Sequence, residues 1–207
     1  MPYAFNVKQE GHYDTFFKYL DGDKFKLSNI DQSVTFGKRR PPDSAVPICG
    51  RAIDPTYLPR RLRPNIKKKR YADFLGNNTG TLVSDTVCEL VERIEPGVHA
   101  FYPVTFEFKN GDTLQTHAVW IIQRELTALA RDGIDPPYPG PDVRWEGVDT
   151  YTYPKARILL DKSIIGDAHA WSDPQLYYQR YLSDELTQAF LDAGVTGFAP
   201  GRHIVAV

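Results

Sequence analysis

Asp161, Asp167 and His169 are the nearest approach to an acid–base set in this chain of 207 residues. Two carboxylates and an imidazole can relay protons to a substrate when a fold turns them toward one point. The remaining chemistry-bearing residues are scattered. His99, His117, His169 and His203 lack the short paired spacing of metal ligands, although a hairpin could make His99 and His117 cross-strand neighbours. Cys88 falls inside an apolar helical pattern, where a thiol is packing, and Cys49 lies in a Pro-rich connection with nothing beside it to lower its pKa. Ser84 and Ser183 each stand just before an aspartate and an apolar run, the place of a helix cap. Neither a Gly-x-Ser-x-Gly elbow nor a glycine-rich phosphate loop is present, so no cofactor or metal is implied.

Two charged tracts suit binding rather than catalysis. Arg60, Arg61 and Arg63, with Lys67 to Arg70 and the rings of Tyr71 and Phe74, form a cation cluster of the kind that neutralises phosphates and stacks bases. The same cations also fit a solvated face, or one paired with acidic groups elsewhere. Asp142, Trp145, Glu146, Asp149 and Tyr151 mix rings with carboxylates, which suits a protein interface and equally a loop with a ring folded into the core.

The elements that must position these residues show a repeat. Ser84-Asp85 is followed by Val87, Leu90, Val91 and Ile94, then Gly97-Val98 and a run ending at Pro103. Ser183-Asp184 is followed by Leu186, Ala189, Phe190 and Ala193, then Gly194-Val195 and a run ending at Pro200. Each copy predicts a capped amphipathic helix, a glycine exit and a strand. Between them, alternation over Ala100–Phe108 and Leu114–Ile122 around Asn110-Gly111 predicts a hairpin whose two turn residues take positive φ. Gln123 to Arg131 fits strand or helix. Tyr151–Leu160 and Tyr177–Leu182 read as strands. Residues 2–7 read as an opening strand, Tyr13–Leu20 as a short helix or strand, and the proline-broken stretch from Gly50 to Pro64 as an extended surface connection.

Composition excludes some classes. No run approaches the roughly 18 apolar residues of a membrane span, and two cysteines with no secretion-like leader indicate a cytoplasmic protein with reduced thiols. The net charge of −1 conceals an asymmetry: Lys38 to Arg70 carries +9, and residues 71–207 carry −9.

Leu58–Arg63, Tyr71-Ala72-Asp73-Phe74-Leu75, Leu82–Asp85, Ile94-Glu95-Pro96-Gly97-Val98-His99 through Val104, Leu182–Leu186 and Gly194–Phe198 together resemble immunity protein family eleven, a bacterial family grouped with polymorphic-toxin immunity proteins. The resemblance spans roughly residues 50 to 200, with the Glu-Pro-Gly-Val-His run its most specific part. It implies an antidote that binds a cognate toxin without catalysis, and it carries over no catalytic residue. The expected fold is α+β, a mostly antiparallel twisted sheet with a central hairpin and both capped helices packed on it. One compact domain over 1–207 is expected, or two pseudo-repeated lobes, about 1–132 and 143–207, joined by the proline-rich loop. A toxin-neutralising role leads; a nucleic-acid binder using residues 60–70 and a small-molecule enzyme are the alternatives.

Overall fold

The structure, a computed structural model, describes residues 2–7, 17–23, 55–68, 70–77, 80–135, 157–173 and 179–207. Six strands form the larger sheet: β2 (Phe17–Tyr19), β3 (Arg61–Pro64), β4 (Phe74–Asn77), β5 (Gly80–Ser84), β6 (Ala100–Glu107) and β7 (Thr113–Ile121), in the order β2-β3-β6-β7-β5-β4. Only β3 and β6 run parallel in it. A four-stranded antiparallel sheet places β1 (Tyr3–Val7) between β11 (Gln179–Leu182) and β12 (Phe198–His203), with β10 (Ala170–Asp173) outside β11. A small third sheet joins β8 (Leu129–Asp135), β9 (Arg157–Leu160) and β13 (Val205–Ala206). The protein is α+β with predominantly antiparallel pairing.

Both periodic runs are helices, α1 (Asp85–Ile94) and α3 (Asp184–Asp192), and a single turn, α2 (Lys162–Ile165), follows β9. Val87, Leu90 and Val91 of α1 and Leu186 and Phe190 of α3 point into one core with Phe74, Val83 and Trp120 from the larger sheet and Ala170, Leu182 and Phe198 from the four-stranded one. Phe74 lies 5.4 Å from Phe190 and 5.5 Å from Phe198, ring centre to ring centre. Full burial of each such side chain stabilises by about 2 kcal/mol, so neither helix is held by propensity alone. Gly97 and Gly194 leave the helices at φ 69° and 64°, the left-handed region that glycine enters without penalty.

The repeat extends further than the sequence indicates. A hairpin (β4–β5), α1 and β6 come in the same order as a hairpin (β10–β11), α3 and β12. β7 separates β5 from β6, as β1 separates β11 from β12, and every one of these pairings is antiparallel. In the first unit the inserted strand follows in sequence. In the second it is drawn from the opposite end of the chain.

Three expectations change. Arg61–Pro64 is a sheet strand with Leu62 wholly buried, not a surface connection; its prolines flank or end the paired stretch, so no ladder bond is lost. The β6–β7 turn spans Phe108–Gly111, closed by Gly111 N–H to the Phe108 carbonyl at 3.0 Å, with Gly111 at φ 89°. It is thus longer than a two-residue turn. Ser84 occupies the N-cap position of α1 without capping it, because its hydroxyl donates to the buried Asp73 carboxylate at 2.8 Å instead. Ser183 does cap α3, accepting the Leu186 N–H at 3.1 Å.

Candidate functional site

A single acid inside an apolar run is the signal of a buried, hydrogen-bonded carboxylate. Tyr71-Ala72-Asp73-Phe74-Leu75 and Ile94-Glu95-Pro96 both carry that signal, and sequence reading assigned neither acid a role. Asp73 precedes β4. Its carboxylate takes the Ser84 hydroxyl at 2.8 Å and both the N–H and hydroxyl of Thr196, at 2.9 and 2.6 Å. The Asp73 and Phe74 N–H groups return bonds to the Thr196 hydroxyl and carbonyl at 3.1 and 3.0 Å. Burial acts to raise the acid's pKa, but the Thr196 and Ser84 hydrogen bonds outweigh it and hold Asp73 below the ordinary range.

Glu95 does the reciprocal task at the end of α1. It accepts the N–H groups of His169 and Ala170 at 2.9 and 2.8 Å, pairs with His99 Nε2 at 2.9 Å and meets the Arg124 guanidinium at 3.2 Å. Here too burial pushes the pKa up and the His99 and His169 hydrogen bonds bring it down, below its usual value. His169, which precedes β10 as Asp73 precedes β4, reaches Ser183 with Nδ1 2.9 Å from Oγ. Even the backbone repeats: Ser84 N–H to the Asp73 carbonyl at 2.9 Å, and Ser183 N–H to the His169 carbonyl at 2.8 Å. The segment that leaves each helix is therefore bound to the segment that leads into the other helix, through Thr196–Asp73–Ser84 in one direction and Glu95–His169–Ser183 in the other.

His169 and Ser183 stand at the separation of a base and a nucleophile. They do not form a triad. Glu185, 3.8 Å away, faces the same ring nitrogen as the serine, so the imidazole does not bridge hydroxyl and acid, and Ser183 Oγ already holds a helix N–H. The Asp161–Asp167–His169 set does not assemble either. Asp161 caps α2 through the Ser163 N–H at 2.8 Å, Asp167 is fully exposed with Arg124 3.8 Å away, and His169 turns to Ser183. His99 packs against Trp120 while His117 stacks on Phe106, on opposite sides of the larger sheet, so the hairpin does not bring them together. Among the described residues no cluster of three or more ligands suits a metal. Burial pushes the Cys88 thiol up to about 12, beyond useful nucleophilicity.

Three cations of the basic run face carboxylates. Arg61 donates to Glu107 at 2.9 and 2.5 Å, Lys67 meets Asp112 at 2.5 Å, and Arg70 lies 3.9 Å from Asp73. Asp142, Trp145, Glu146, Asp149 and Tyr151, like Cys49, lie outside the described residues.

Hydrogen-bonded carboxylates thus join the two repeated hairpin–helix–strand arrangements of an α+β fold. The chain belongs to the immunity protein family Imm11, whose family model matches residues 9–202. A search of curated proteins gave no match. No helix among the described residues is long and apolar enough to cross a membrane.

Proposed function

We propose that this chain is an immunity protein that binds a cognate bacterial toxin domain and neutralises it by occlusion, without catalysing a reaction. The observation that carries the reading is the use of the residues that carry the family resemblance: Asp73, Ser84, Glu95, His99, Ser183 and Thr196 are taken up by internal hydrogen bonds, and Asp73–Thr196 and Glu95–Ala170 tie one repeat to the other. A motif that builds the frame leaves function to the surface. The excess of carboxylates over residues 71–207 suits a basic toxin face, and Asp142, Trp145, Glu146, Asp149 and Tyr151 are the proposed contacts within it. The antidote would act in the cytoplasm. Nucleic-acid binding through residues 60–70 is less favoured, because residues 71–207 carry a net charge of −9, which repels a phosphate backbone.

The test is co-expression with the toxin domain encoded beside its gene. Protection of the host cells, with a complex surviving purification, is the expected result. A toxin that kills regardless, and no stable complex, would remove the reading.

A further inference from the structure

We infer that the open face of the larger sheet over β2, β3 and β6 is a docking surface for a carboxylate cluster on a partner protein. The inference rests on the binding role proposed above and adds to the acidic contacts named there a second, basic surface for an acidic patch of the partner. One side of these strands is core: Leu62 and Phe106 are buried there, with Phe17 and Tyr19 packed against them. Alternation then places Lys18, Arg61, Arg63, Thr105 and Glu107 on the other side, and the register sets Lys18 directly opposite Arg63.

Two like charges paired across a ladder destabilise a sheet. Among the described residues, one carboxylate serves these three cations. Glu107 binds Arg61 closely and lies 3.9 Å from Arg63, and among the described residues no carboxylate pairs with Lys18. Asp21, just past β2, is turned to the backbone N–H groups of Arg60 and Arg61 at 2.8 and 2.9 Å. With their side chains 52% and 34% exposed, Arg61 and Arg63 keep donors facing outward from positions fixed by the strand and by Glu107. Such a fork is suited to carboxylate oxygens. Against the acidic remainder of the chain, these cations match two or three carboxylates on a folded surface better than a long nucleic-acid strand.

The experiment uses the full chain and a fluorescent hexaglutamate peptide at low salt. Wild type should bind it, Lys18→Glu with Arg63→Glu should weaken binding at least tenfold, and a Gly-Ser peptide should not bind. Absence of hexaglutamate binding, or equal binding by the double variant, overturns the inference. Tighter binding of a six-nucleotide RNA overturns it in favour of a nucleic-acid surface. Melting of Lys18→Ala is the control for folding: relief of the like-charge pair should raise the midpoint by about 1–3 °C. A fall would mean that Lys18 is held by the fold, and would count against the surface. Peptide binding without toxin binding would keep this surface and remove the proposed function; toxin binding without peptide binding would do the reverse.

Discussion

Glu95 and His99 meet one turn beyond α1, with Oε2 2.9 Å from Nε2 and both side chains buried. The Gln123 N–H points at Nδ1 from 3.3 Å, so the ring hydrogen sits on Nε2 and is donated to the carboxylate. The same acid holds Arg124 and two N–H groups at the start of β10. Glu95→Gln keeps the size and removes the charge, and should cost about 2–4 kcal/mol in urea unfolding. A cost below about 0.5 kcal/mol would mean that solvent replaces every one of these bonds.

Asp73 is the matching hub. Thr196→Val and Ser84→Ala each remove a hydroxyl donor and should each destabilise by about 1–2 kcal/mol. In a cycle with Asp73→Asn the losses should fall short of additive by about 1 kcal/mol, because all three report on one carboxylate. Strict additivity would show that the hydroxyls act separately.

Gly197 and Gly194 separate crowding from backbone strain. A Cβ at Gly197 would fall against the Phe74 carbonyl oxygen and 2.9 Å from the Ala72 Cβ, at φ 72°, whereas at Gly194 nothing lies within 4 Å. Gly194→Ala should cost about 1–2 kcal/mol from its left-handed backbone alone. Gly197→Ala should cost clearly more or prevent folding, because both neighbours belong to the other unit. Equal melting points for the two variants would contradict the close approach.

Acid should weaken the fold in two stages. Burial holds His117 below its ordinary 6.5 despite its bond to the Ala72 carbonyl. The unfolded chain therefore takes up that proton first, and stability starts to fall as pH drops below 6.5. Asp73 and Glu95, lowered from 3.8 and 4.5, add stability above those values and lose it as pH falls through their folded values. Urea midpoints against pH should show both stages, and His117→Gln should abolish the first. A first stage that persists in that variant would assign it to another group.

What the sequence made legible was local. The i, i+3, i+4 spacing of Val87, Leu90 and Val91 and of Leu186, Ala189 and Phe190 reports directly on a helix face, and Asn110-Gly111 marks its turn within a residue or two. The site was not legible, because its bonds are long-range. Asp73 and Thr196 are 123 positions apart, and Glu95 and Ala170 are 75 apart. No spacing rule reaches so far. β3 was hidden for a different reason: prolines at its flanks mimic a loop, and its parallel partner is supplied by a distant strand. The tract from Asp142 to Tyr151 lies outside the described residues and stands as a proposed contact.

β1 leaves the ribosome before either of its neighbours exists. Tyr3–Val7 precedes the strands that flank it, Gln179–Leu182 and Phe198–His203, by more than 170 positions. Until then both of its edges are bare, a template for wrong pairing. Translation order thus delays closure of the four-stranded sheet until β12 is made, and a product stalled before Gln179 would carry β1 with neither of its partners.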